Sequence, residues 1–381
     1  MFVKKFVAVL LVLVLSLPFF MVRTSALSQE EIVSPSAILM EADTLKVLFE
    51  KNAHEQRACA SITKVMTLLL VMEAIEDGKI AYDDIVTTSE HAKSMGGSDI
   101  WLEVGEQMSV YDMIKAVVVA SANDAAVALA EHICGTEDAF VEKMNELAKQ
   151  LGMKNTVFKN CNGLDEEGHL STAYDVALMS AALMKHEKIF EFTTIWLDYL
   201  RGGETQIVNT NKLLKTYKGI TGLKTGTTGQ AGSCITATAT RENFSLISVV
   251  LGSDTGTQRF KDASVMLDFG FASFQVLQFD SSVLGQKTVP VKNGMLKEVS
   301  ISCKGAHSLI VDKGSKADIR HSIKLDENLQ APIKKGQKVG SITYTLGDKK
   351  VCDFTIVANE DVRKITFSAV MKELFCALVA L

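Results

Sequence analysis

The chain has 381 residues, 47% of them hydrophobic and 22% charged, with a formal net charge of -5. That balance is globular rather than disordered, and the length accommodates one large domain or two ordinary ones. An acidic excess without a broad basic surface disfavours nucleic acid as a partner.

Lys4 and Lys5, the apolar run Phe6 to Met21 and the small residues Thr24, Ser25 and Ala26 have the layout of a secretory signal, 1–26, cut after Ala26. The alternative is an uncleaved anchor, for which the run is short. Ser36 to Met40 and Lys46 to Glu50 flank Ala42-Asp43-Thr44 as a hairpin. Ser61-Ile62-Thr63-Lys64 then leads into the apolar run Val65 to Ile75, with Gly78 as a stop, and predicts a buried helix starting near Ser61. Positions i and i+3 share a helix face, so a hydroxyl and an amine stand one turn apart. A serine becomes a nucleophile when a neighbour takes its proton, and a lysine does so if burial or a nearby cation keeps it neutral. The bland alternative is a capping serine and a solvated lysine.

Ile85 to Thr88 reads as a short strand and Met95-Gly96-Gly97-Ser98 as a loop. Val110 to Ala120 has helical spacing, stops at Ser121-Ala122-Asn123-Asp124, and resumes as the alanine-rich helix Ala125 to Ile133. Polar residues thus interrupt a buried helix pair, unless Asn123 or Asp124 simply caps the second one. Glu137 to Leu151 is a helix closed by Gly152, Asn160 to Ser171 a polar loop, and Thr172 to Met184 a further helix. Strands follow at Gln206 to Val208, Gly222 to Thr225, Cys234 to Thr240 and Phe244 to Leu251, the last two joined by Arg241-Glu242-Asn243, and then a helix from Arg259 to Phe274. Lys224-Thr225-Gly226 lies on the strand before that hairpin. An edge-strand lysine is usually a solvated guard, but a following glycine permits close approach of a ligand.

Beyond about Ser281, alternating runs at Lys287 to Val291, Val299 to Ser302, Ser308 to Val311, Ile319 to Leu325, Lys338 to Leu346 and Lys350 to Ala358 form a small all-β domain, 281–362, with no titratable cluster. In 363–381, Phe367, Val370, Met371, Leu374, Leu378 and Leu381 make a helical stripe too short to span a bilayer, suited to lying in a membrane interface or to packing on the β domain. The seven cysteines lack metal spacing and read as buried free thiols. Cys59 stands close enough to Ser61 to be alkylated, but has no nearby histidine to activate it. There is no G-x-G-x-x-G, Walker loop or H-E-x-x-H, so nucleotide and zinc enzymes are unsupported.

Ser-x-x-Lys, Ser-x-Asn and Lys-Thr-Gly in this order are far more specific together than singly. With them the chain resembles the low-molecular-mass penicillin-binding proteins of the serine D-alanyl-D-alanine carboxypeptidase type, which share a catalytic domain with class A β-lactamases. The resemblance extends from signal to terminal helix and includes the loop Asn162-Gly163-Leu164-Asp165 with His169, Ser171 and Asp175. It implies an α+β fold: a helical subdomain packed on an antiparallel sheet over 27–280, then the all-β domain and an amphipathic membrane-anchor helix. It also implies Ser61 as acylated nucleophile, Lys64 as its proton acceptor, Ser121 as proton relay to the leaving amine, and Asn123 orienting Lys64 and the substrate amide. Lys224, Thr225, Gly226 and Thr227 would bind substrate, with Lys224 keeping Lys64 partly neutral, Thr225 on the terminal carboxylate, and the N–H groups of Ser61 and Thr227 forming the oxyanion hole.

The implied reaction removes the terminal D-alanine from peptidoglycan stem pentapeptides through an acyl-enzyme, at the outer face of the bacterial cytoplasmic membrane. It needs no metal or organic cofactor, and β-lactams would acylate the same serine. Cys59 departs from the proline common in relatives. Asp254 stands near where many have a carboxylate-binding arginine, leaving Arg259 either as its substitute or as a solvated helix residue. One alternative is a class A-type β-lactamase using Glu166 or Glu167 to activate water, against which the β domain argues. The other is a non-enzymatic penicillin-sensing or wall-binding module, against which intact Ser61, Lys64 and Lys224 argue.

Overall fold

The computed structural model describes residues 27–368 apart from 280, 286 and 304–306, together with 370, 371 and 375. The expected signal segment and half of the terminal stripe, Leu374, Leu378 and Leu381, lie outside the described residues. The first hairpin forms as β1 (Ser36–Glu41) and β2 (Val47–Lys51). Three long strands, β3 (Ile220–Thr228), β4 (Gly232–Arg241) and β5 (Phe244–Ser253), complete an antiparallel sheet in the order β2-β1-β5-β4-β3.

Two-residue alternation assigns the faces of this sheet. Ile38, Met40, Cys234, Ile247, Val249 and Leu251 pack into the helical subdomain on one side. Ala37, Leu39, Ile235, Ala237, Leu246 and Val250 pack on the other against Ala263, Met266, Leu267 and Phe271 of α5 (Gly256–Ser273). With both faces covered, the strands read as nearly continuous apolar runs. Each fully buried large side chain contributes about 1.5–3 kcal/mol.

In the helical subdomain, α1 (Lys64–Glu76) is apolar on nearly every side and sits at the centre, surrounded by α2 (Asn123–Cys134), α3 (Glu137–Gln150) and α4 (Ala173–Met184). The expected helix Val110 to Ala120 is α-helical only to Lys115; Ala116–Ala120 is a π turn. The wider turn has the same apolar spacing to the eye and is invisible to periodicity. The strand Leu197–Leu200, absent from the sequence reading, pairs with Thr205–Val208.

Phe274–Phe279 follows α5 directly and pairs with His307–Asp312. The other expected C-terminal strands form one five-stranded antiparallel sheet around Val299, Ile301, Ile342, Tyr344, Phe354 and Ile356. Phe367, Met371 and Phe375 have exposed side chains.

Candidate active site

Ser61 sits in a 3-10 turn, Ala60–Thr63, that feeds α1. Ile62 N–H donates to Cys59 O at 3.1 Å, and Ala60 takes φ +49, so the turn is tight and strained. Two glycines press on it. A Cβ on Gly226 would lie 2.8 Å from Ser61 N, and one on Gly163 only 2.0 Å from Ala60 O. The glycine is expected from the sequence to leave space for a ligand; on the side where a Cβ would point, the Cys59–Ser61 backbone fills that space. This also covers the edge of β3 beside that turn. Behind the turn, Lys159 N–H donates to His169 Nδ1 at 3.2 Å, which leaves Nε2 carrying the hydrogen given to Thr63 Oγ1 at 2.8 Å. Burial holds His169 down at about 4, so it is neutral at working pH.

Lys64 is fully buried at the first turn of α1, and its Nζ meets three acceptors: Ser61 Oγ at 3.0 Å, Asn123 Oδ1 at 2.5 Å and Asn162 O at 2.6 Å. Burial brings the ammonium down from 10.5 to about 7, against the opposing pull of Cys161, Asp99 and Asp124. Asn123 is the first residue of α2, not its cap. Its backbone N–H donates to Ser98 O at 2.7 Å and its Nδ2 to Gly96 O at 2.6 Å, so the glycine loop fixes the amide. Asp124 is not at the N-cap position either, though its Oδ1 accepts the first-turn N–H of Ala125 at 2.8 Å; its carboxylate also takes the N–H groups of Ile100 and Leu102.

The π turn ends at Ser121, whose φ of +62 aims its hydroxyl back across the cleft to Lys224 Nζ, 2.8 Å away. Lys224 is 1% exposed despite lying on an edge strand, and its second acceptor is Thr225 O at 3.0 Å. Its pKa is pushed well down by burial first and then by Lys64 and Arg259. Of the two devices the sequence offers for keeping Lys64 neutral, burial and a neighbouring cation, burial is the larger cause. Further along β3, Thr225 Oγ1 donates to Thr210 Oγ1 at 2.6 Å, and Thr227 is exposed at the cleft. Arg259 is buried rather than solvated, and its Nη1 reaches Gly226 O and Thr227 Oγ1, both at 2.8 Å.

All eight predicted site residues therefore converge on one cleft between α1, the start of α2 and β3. Glu166 and Glu167 are exposed, and Glu166 is bonded to Asn160 Nδ2. Among the described residues no group of acidic, histidine and cysteine side chains could hold a metal ion.

A family model described as D-alanyl-D-alanine carboxypeptidase, peptidase S11, matches residues 23–255. The chain belongs to this family. A second model, the C-terminal domain of penicillin-binding protein 5, matches 271–364 of the carboxypeptidase. The D-alanyl-D-alanine carboxypeptidase DacF of Bacillus subtilis is 45% identical over 354 residues, spanning 92% of this chain and 90% of that protein. DacC of Escherichia coli is 35% identical over 362 residues, with 91% and 90% covered. The solved penicillin-binding protein 5 of Haemophilus influenzae superimposes with a TM-score of 0.77 at 32% identity, covering 89% of this chain and 100% of that one. A two-domain match of this extent supports a carboxypeptidase over a class A β-lactamase.

The carboxypeptidase places further residues against these side chains that the motifs do not announce. Asp99 is a half-buried carboxylate raised by burial and by Asp124, and its field acts on Lys64. Thr210 sits against Thr225, and Asn162 supplies the backbone acceptor for Lys64. The only sequence signal for Asn162 is its place in the Asn-Gly-Leu loop; for Asp99 and Thr210 there is none.

Proposed function

We propose that this carboxypeptidase acts through an acyl-enzyme on Ser61, and the hydrogen-bond count at Lys64 carries the reading. A neutral amine has two hydrogens and one lone pair. Asn123 Oδ1 and Asn162 O are oxygen acceptors and take the two hydrogens, so the lone pair is left facing Ser61 Oγ. Ser61 Oγ then attacks the carbonyl carbon between two D-alanines while its proton passes to Lys64 Nζ. The N–H groups of Ser61 and Thr227 receive the developing oxyanion. The proton travels on through Ser121 Oγ to the leaving amine, the terminal D-alanine departs, and water cleaves the ester with the same groups in reverse. Thr225, Thr227 and Arg259 hold the terminal carboxylate, supported by the Arg259 contact with Thr227.

The substrate is the pentapeptide stem of peptidoglycan, and β-lactams acylate Ser61 in its place. A solved relative, penicillin-binding protein D2 from Listeria monocytogenes in the ampicillin-bound form, supports this at 32% identity and a TM-score of 0.57, covering 62% of this chain and 97% of that one. The chain works outside the cytoplasmic membrane, exported by 1–26, with catalysis in 27–280, the β domain 281–362 as its stalk, and 363–381 lying on the membrane surface. The exposed Phe367, Met371 and Phe375, four residues apart, support such a face.

Two measurements test this. A penicillin burst of one equivalent per chain followed by slow release is expected, and sustained fast turnover contradicts the reading. Because Lys64 must be neutral to act, kcat/KM is expected to rise with pH up to a midpoint near 7 and to fall about tenfold per pH unit below it. Asp99→Asn removes a charge that holds the Lys64 proton, so it should move that limb to lower pH. A flat profile through neutrality contradicts the assignment of Lys64.

A further inference from the structure

Asp124 binds the N–H groups of Ile100 at 3.1 Å and Leu102 at 3.0 Å, so the backbone on both sides of Trp101 is pinned to the first turn of α2. Between the pins Trp101 takes φ +56, a left-handed conformation that costs a residue other than glycine roughly 1–2 kcal/mol. Its carbonyl accepts from Arg201 Nη2 at 3.4 Å, and Arg201, itself at φ +51, is paired with Glu106 at 2.7 Å. This arrangement leaves Trp101 79% exposed. Tryptophan normally buries most of its surface, so local strain here holds a large apolar plate out in solvent.

The loop that carries the plate is tied to the site. Ser98 O accepts the backbone N–H of Asn123, and three Cα steps of about 3.8 Å put Trp101 at most ~11 Å from Ser98. A pentapeptide extended at about 3.4 Å per residue covers roughly 17 Å, so a stem whose end lies at Ser61 runs well beyond the Lys64 and Asn123 contacts, a length comparable with the path from Ser61 to the loop that carries Trp101. The nearby polar groups, Glu103, Glu106 and Arg201, fit a hydroxylated ring better than a lipid surface.

We propose that Trp101 is a stacking platform for the sugar that carries the stem peptide, so that the enzyme reads the glycan as well as the D-alanine terminus. A pyranose offers an apolar C–H face ringed by hydroxyls, which matches a flat indole with polar neighbours. This rests on the wall-peptide reading above. The test compares D-alanine release from a disaccharide-pentapeptide and from the free pentapeptide, using the full chain and its Trp101→Ala and Trp101→Phe variants.

Trp101→Ala is expected to lose about tenfold in kcat/KM on the sugar-bearing substrate, through KM, the size of one buried aromatic contact. It should stay within about twofold on the free pentapeptide, which also reports that the variant is folded, and Trp101→Phe should restore most of the loss. Equal losses on both substrates, or no loss on the sugar-bearing one, overturn the proposal. No release from either substrate by the unaltered chain refutes the wall-peptide reading instead.

Discussion

Replacing Lys64 by methionine is expected to slow acylation of Ser61 by about four orders of magnitude, the scale of loss when a nucleophile is parted from its base. Methionine keeps a long apolar stem, but its thioether is too weak a base to take the serine proton, and the position is shielded from solvent. The same change bears on stability. Lys64 has a folded-state pKa of about 7 against 10.5, so folding releases its proton and the buried amine opposes folding increasingly as pH falls from 10.5 to 7, and fully below that. That opposition is offset in part by the donors that methionine withdraws from Asn123 Oδ1 and Asn162 O. The variant should therefore melt at or above the temperature of its parent while remaining inactive. A thermal melt beside a penicillin-labelling time course reads both, and labelling within tenfold of the parent contradicts the role given to Lys64.

Gly226→Ala is the second large effect, about a hundredfold loss in kcat/KM with the fold retained. The added methyl would meet Ser61 N at 2.8 Å, and Cys59 O and Ala60 Cβ at 3.0 Å. These belong to a turn that Gly163 closes off from the other side, so the turn cannot retreat without moving Ser61 away from Lys64. Displacing well-packed backbone costs about 1–3 kcal/mol, which predicts a modestly lower melting temperature. Gly229→Ala is the control: open space surrounds its Cβ position, and neither activity nor stability should change. Full activity in Gly226→Ala would show that the turn is looser than its packing indicates.

The cleft was legible in the sequence because its chemistry is written in three short strings, and each string folds as a local unit. Ser61 and Lys64 are joined by a single turn, and Lys224 to Thr227 by one strand. What the strings hide is depth. Lys224 on an edge strand reads as a solvated guard, and only the tertiary fold, closing Ser121 and the nucleophile turn over that edge, buries it. The π turn before Ser121 repeats its apolar residues as an α-helix does, so periodicity extended one helix through it and started the next at Ala125 instead of Asn123.

Arg259 is nameable from the sequence as a substitute carboxylate binder, but its burial is hidden for a related reason. It lies 33 residues from Gly226, on a helix whose outer residues are mostly solvated, and its bonds to Gly226 O and Thr227 Oγ1 exist only because α5 packs across the sheet. Asp99 and His169 act from a distance as well, one through its field on Lys64 and the other through Thr63. Neither effect leaves a trace in local spacing.

The central claim is that Ser61 is the atom acylated, and locating a penicillin adduct by mass spectrometry of peptides tests it most directly. After brief exposure, the account predicts one added drug mass on the peptide containing Ser61, lost in Ser61→Ala. Cys59, two residues away, is buried with its thiol pKa raised by that burial, and should carry none. An adduct on Cys59 or elsewhere that persists in Ser61→Ala would contradict the account.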